Sequence, residues 1–126
     1  MSRHQVALTV PADSSYVALL RATTAGVAAR LDFTLDDIDD LRLAVDEACG
    51  LLLRQARPES TLFCGFRMAE PHLSIDVTAQ ADSPRLPPRD GFAWTVLTSL
   101  AGDVHASVDE DSVTLTLSRK REGATP

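Results

Sequence analysis

The sequence predicts a two-layer α/β sandwich of the α+β kind, with helices on one face of a mixed, mostly antiparallel sheet. Two patterns carry that expectation. Residues 17–56 hold two apolar series at helical spacing, whereas residues 61–78 and 104–117 each hold two alternating apolar runs joined by a short turn. Size agrees: 126 residues, 44% of them hydrophobic, can build one core and one domain.

Residues 5–10 alternate β-branched and polar side chains and stop at Pro11, as an opening strand does. Asp13 or Ser14 can cap a first helix, whose positions Val17, Leu20, Thr24, Val27 and Leu31 recur at helical spacing. After the link Asp32-Phe33, Thr34 is a second N-cap, and Asp36, Asp37, Asp39 and Asp40 place negative charge at a helix N-terminus. The core stripe of this second helix is Ile38, Leu41, Val45, Ala48, Cys49, Leu52 and Ala56, ending before Pro58. Leu43, Glu47, Gly50 and Leu51 fall on its far side at 100° per residue. Something besides the main core should therefore cover Leu43 and Leu51.

Residues 61–66 and 73–78 read as a hairpin around Glu70-Pro71. Residues 80–89 contain Pro84, Pro87 and Pro88 and form a loop or a stiff extended strap. A third helix starts near Asp90, runs through Trp94, Leu97, Leu100 and Ala101, and stops at Gly102. Residues 104–108 and 113–117 then close a hairpin across Asp109-Glu110-Asp111. The chain is polar from Arg119 onward; the domain is drawn as residues 1–120, with 121–126 a polar C-terminal tail.

Acidic residues outnumber basic ones 18 to 12, a formal charge of −6, which opposes binding to nucleic-acid phosphates or an anionic membrane. Cys49 and Cys64 form no CxxC and no cluster with His4, His72 or His105, so neither zinc nor a disulfide framework is expected, and both thiols read as reduced and buried. No apolar run approaches the ~18 residues of a membrane helix, and residues 6–10 do not resemble a cleavable leader. A cytoplasmic domain is expected.

Four sets of residues are candidates for chemistry or binding. Glu47, flanked by Leu43 and Leu51, has the surroundings of a general base with a raised pKa; the plainer alternative is a solvated helix glutamate or one paired with Arg54. Asp46, Glu47 and Asp76 lack further ligands at metal-binding spacing, so no metal is expected. Gly91 and Gly102 bracket the third helix, but no GxGxxG or GxxxxGK[ST] loop is present to cradle phosphate. Arg21 is a cation among Ala18, Ala22 and Ala25, a setting that suits either an interface anchor or a snorkelling surface arginine.

The string Asp37-Ile38-Asp39-Asp40-Leu41-Arg42-Leu43-Ala44-Val45-Asp46-Glu47-Ala48-Cys49 resembles the N-box helix of the RsbW-type anti-sigma factors, which in that family runs D-L-x-L-A-V-x-E-A-x-x-N. These are small serine-protein kinases of the GHKL (Bergerat-fold) ATPase superfamily. The resemblance extends from the opening strand to Leu100-Ala101-Gly102-Asp103-Val104, similar to the family's L-x-D-x-V, and is nearest the actinobacterial UsfX-like branch. It implies a GHKL/Bergerat-like fold, with Glu47 at the position of the kinase general base.

Departures from the family are concentrated at the nucleotide. Leu51 stands where the family has its magnesium-holding asparagine. Ala79 and Ala81 replace the aspartate and glycine of V-x-D-x-G, and Gly91-Phe92-Ala93 retains one glycine of the later G-x-G. Losing an adenine contact and a magnesium ligand, each worth on the order of 1–3 kcal/mol, weakens binding by roughly two decades or more. The resemblance thus implies a degenerate kinase, with Glu47 vestigial and no cofactor.

Its implied function is sequestration of an alternative RNA polymerase sigma factor, with release by a STAS-domain anti-anti-sigma factor, and acidic charge suits a basic partner surface. Arg21 matches the arginine that contacts both partners in the family. A homodimer is also implied, through the sheet side carrying the first strand, with Val6, Leu8 and Val10 supplying a short alternating strand that could join a neighbour. The alternatives are an active kinase that uses ATP and magnesium, with Glu47 as base, to phosphorylate the anti-anti-sigma factor, and a pseudo-ATPase adaptor for another signalling partner.

Overall fold

The computed structural model describes residues 4–121. In chain order it contains β1 (His4–Pro11), a 3-10 turn (Ser14–Tyr16), α1 (Val17–Arg30), α2 (Leu35–Leu53), β2 (Thr61–Ala69), β3 (His72–Gln80), α3 (Phe92–Ala101), β4 (Asp103–Val108) and β5 (Ser112–Lys120). The strands form one sheet in the order β1-β2-β3-β5-β4. Every neighbouring pair is antiparallel, so the sheet expected to be mixed has no parallel pair among the described strands.

Local chemistry sets the helix boundaries. The Asp13 carboxylate accepts from the Ser15 N–H at 2.9 Å and from the Ser15 hydroxyl at 3.0 Å, bonds that hold its pKa below the usual carboxylate value. Thr34 Oγ1 accepts from the Asp37 N–H at 3.1 Å and starts α2, with Asp36 and Asp37 in its first turn. At the end of α3, Gly102 adopts φ +92°, a conformation that L side chains rarely take, and its N–H donates to the Thr98 carbonyl at 3.1 Å.

The core lies between the helices and one face of the sheet. From α2 come Leu41, Val45, Ala48, Cys49 and Leu52; from the sheet come Leu62, Cys64, Phe66, Ile75, Val77 and Leu115. Thr24 is fully buried in α1, and its hydroxyl donates to the Leu20 carbonyl at 2.7 Å, so its polar group is satisfied. The opposite sheet face is polar: Ser74 pairs with Ser118 at 3.1 Å, Thr78 with Thr114 at 2.8 Å, and Thr116 donates to Asp76 at 2.7 Å.

Several boundaries differ from those the sequence suggests. α2 stops at Leu53, one turn before Ala56, and β2, β3 and β5 run longer than their apolar alternation. β5 lies between β3 and β4, and backbone pairing carries it through the polar residues: on both sides as far as Ser118, and against β3 alone for Arg119 and Lys120. Arg121 also belongs to the fold rather than to a tail: its N–H donates to the Pro71 carbonyl at 2.8 Å and its guanidinium to the Leu31 carbonyl at 2.9 Å. Residues 122–126 of the expected tail lie outside the described residues. Among the described residues no helix is long and apolar enough to cross a membrane.

Candidate functional site

α1 and α2 pack side by side, and Arg21 reaches across: its Nη1 donates to Asp46 Oδ1 at 2.6 Å, with the two side chains 36% and 48% exposed. Around this pair Asp39, Arg42 and Leu43 complete an open groove of about 530 Å3. Arg42 pairs with Asp39 at 3.5 Å, and Leu43 lies 54% exposed beside them. The cover expected over Leu43 is absent among the described residues, so its apolar surface faces the groove.

Arg21 is therefore not the lone cation that its alanine neighbours suggest. Ala18 and Ala22 are exposed and leave its approach low, but Asp46 already holds one edge of the guanidinium. An exposed ion pair of this kind contributes little stability, and its partners can be exchanged at small cost. The Asp46 contact has no local sequence signal, because it spans 25 residues and depends on how two helices pack.

Glu47 is half-buried and makes no ion pair among the described residues, so of the two plainer alternatives the Arg54 pairing does not form. The trio of Asp46, Glu47 and Asp76 is dispersed. Asp46 turns to Arg21, whereas Asp76 lies on the polar sheet face with Thr116 and, at 3.2 Å, Arg67. No group of three or more His, Cys, Asp or Glu placed to hold a metal occurs among the described residues.

Leu51 meets the cover that its position on α2 requires. It walls a cleft of about 250 Å3 with Arg54, Gln55, Arg85, Leu86, Pro87 and Pro88, so the proline strap lies against the C-terminal half of α2. Ala79 and Ala81 are buried, and their methyl groups, like the Leu51 isobutyl group, offer no polar atom. Gly91 is the N-cap of α3, Phe92 is 84% exposed and Ala93 is half-buried. Gln55, which bonds the strap, escapes sequence reasoning because a side chain that binds backbone 30 residues away leaves no periodic trace.

No family model matches the chain. The anti-sigma-F factor RsbW of Mycobacterium tuberculosis is 36% identical over 104 residues, 82% of this chain and 62% of that protein. The serine-protein kinase RsbW of Halalkalibacterium halodurans is 40% identical over 79 residues, 62% of this chain and 49% of that one. The chain is an RsbW homologue. It spans 49% and 62% of the length of these two relatives, less than two thirds of either. A crystal structure of the RsbU and RsbW domains of a Mycobacterium tuberculosis protein superposes on this RsbW homologue with a TM-score of 0.74 at 14% identity. That superposition covers 94% of this chain and 32% of the other, and it establishes the shared fold, GHKL-like in class.

Proposed function

We propose that this RsbW homologue is an anti-sigma factor: it binds an alternative sigma factor through the α1–α2 groove in the cytoplasm and yields it when a STAS-domain anti-anti-sigma factor competes. The observation that carries the reading is the open groove around Arg21, Asp46 and Leu43, an exchangeable ion pair beside exposed apolar surface. Such a surface offers a partner carboxylate the outer edge of a guanidinium and offers an apolar side chain a place to be buried. Similarity to an anti-sigma-F factor over 82% of the chain supports it.

The kinase alternative draws support from Glu47 and from the relative named a serine-protein kinase. It is the weaker reading, because Leu51, Ala79 and Ala81 are apolar where the family resemblance implies magnesium and adenine contacts. A nucleotide–magnesium group does not fit these side chains, so no phosphoryl-transfer step is assigned to Glu47.

The homodimer is likewise proposed, with β1 as the strand that joins a second copy. Along one side of β1, Val10 is buried in the protein's own core, Leu8 is half-buried and Val6 is exposed. What β1 presents to a second copy is the backbone of an edge strand, which pairs by β-augmentation.

Co-purification of the tagged chain with each sigma factor and STAS-domain protein of its source genome, followed by pairwise competition, tests the function. One sigma factor held at low micromolar affinity or better and displaced by one STAS protein is the expected outcome. Failure of every sigma factor to bind the folded chain overturns the reading.

A further inference from the structure

The charges that line the α1–α2 groove cancel within the chain. Asp39, Arg42, Leu43 and Asp46 stand at i, i+3, i+4 and i+7 of α2 and so share one face of that helix. Arg42 meets Asp39 at 3.5 Å within this face, whereas Arg21 arrives from α1 and meets Asp46 at the shorter distance of 2.6 Å. Two cations and two carboxylates leave the groove without net charge, although the chain as a whole carries −6.

The contact between Arg21 and Asp46 is one hydrogen bond, from Nη1 to a single carboxylate oxygen. A guanidinium presents five N–H donors in a planar fork and holds a carboxylate most strongly when both oxygens meet parallel donors. Asp46 therefore occupies Arg21 without saturating it, and water screens the pair because both side chains are more than a third exposed. Screening leaves the pair of little value to the fold. What the Asp46 charge does change is the reception of a second carboxylate at Arg21. A newcomer either takes Nη1 and returns Asp46 to water, or takes the free edge and puts two negative charges around one positive. Both arrangements bind less tightly than a groove with no charge at residue 46.

We infer that Asp46 is a resident competitor for Arg21: it holds the cation in the free chain and lowers the affinity of the groove for a partner's carboxylate, so that binding exchanges one ion pair for another. The inference rests on the reading of this groove as the partner-binding surface. Its consequence is selectivity. A partner that brings only an isolated carboxylate gains little over Asp46, whereas one that grips the guanidinium with two oxygens and also covers the exposed Leu43 offsets the exchange.

The sigma factor that co-purifies with the tagged chain serves as the probe, titrated at low and high salt against the wild-type chain, Asp46→Asn, Arg21→Ala and the double variant. Asparagine keeps an oxygen that accepts from Nη1 and removes only the charge, so Arg21 stays oriented. Asp46→Asn should tighten binding by about three- to tenfold, with the larger gain at low salt. In the Arg21→Ala background the same substitution should change affinity by less than about twofold. Thermal melts of all four proteins check that the fold is intact. Unchanged or weaker binding by Asp46→Asn, or an equal gain in the Arg21→Ala background, overturns the competitor while leaving the groove as the binding surface. Unchanged affinity in Arg21→Ala overturns the groove reading itself and the competitor with it.

Discussion

Arg119 Nη2, near the end of β5, lies 2.6 Å from Asp37 Oδ1 in the first turn of α2. The same guanidinium donates from Nη1 to the Leu100 carbonyl and reaches Asp40 at 3.5 Å. One cation thus joins the sheet, the start of α2 and the end of α3. Asp37 is only 4% exposed, so its charge depends on that cation and on the helix N-terminus for compensation.

Arg119→Met should therefore lower the unfolding free energy by about 3 kcal/mol, as read from urea melts, because it leaves a buried carboxylate without its cation. The double variant Asp37→Leu/Arg119→Met removes both charges and should recover most of the loss. A single variant as stable as the wild-type chain would show that the pair contributes nothing.

Arg21→Ala should weaken sigma-factor binding by about 2–4 kcal/mol, as expected of an interface anchor, while changing the unfolding free energy by about 1 kcal/mol or less because its ion pair is exposed. Arg30→Ala, at the end of α1, should do far less to binding. Titrations paired with thermal melts separate the two effects; unchanged affinity in an Arg21→Ala protein that melts normally would place the anchor elsewhere.

Calorimetry with ATP and magnesium should give no binding in the low micromolar range, since Leu51, Ala79 and Ala81 supply neither a metal ligand nor an adenine acceptor. A low micromolar dissociation constant would restore the enzyme reading and return Glu47 to a catalytic role.

Burial pushes the Cys49 thiol up to about 12, with the nearby Asp46 charge adding to the shift, and raises Cys64 further. The sign follows from linkage: above an ordinary thiol pKa near 8.5 the unfolded chain ionises while the folded chain does not. The stabilising effect of these protonated thiols should be complete below about pH 8.5 and be lost as pH rises toward 12. Native protein at pH 8 should react with a thiol-specific disulfide reagent only at its rate of opening, against immediate reaction in denaturant.

Light scattering at low micromolar concentration should return twice the 13.6 kDa chain mass. Replacing Ala7 at the β1 edge with proline should shift the population to monomer. A wild-type protein that is monomeric at every concentration tested would remove the dimer.

What the sequence makes legible here is what repeats. α2 was readable because Thr34, the acidic first turn and the apolar stripe from Ile38 to Leu52 all belong to one helix, and local consistency of that kind survives in a linear string. Leu51 was readable as an apolar residue in need of a second cover, and the strap supplies it. Leu43 carries the same signal yet stays exposed, since periodicity shows where a side chain points and not what waits there. Arg119 and Gln55 were missed for a shared reason: each makes its decisive bonds to a residue on a distant element, and a single polar side chain has no period to read.

The strand register fixes where the ordered chain is entered and left. His4, Met68, Leu73 and Arg119 lie in one cross-strand row, so the start of β1 and the end of β5 occupy the same rim of the sheet. Three strand spacings separate them, roughly 15 Å. The strap departs from Gln80 at the opposite rim. A polypeptide joined ahead of His4 or after Arg121 therefore leaves the sheet at the rim opposite the one from which the strap departs.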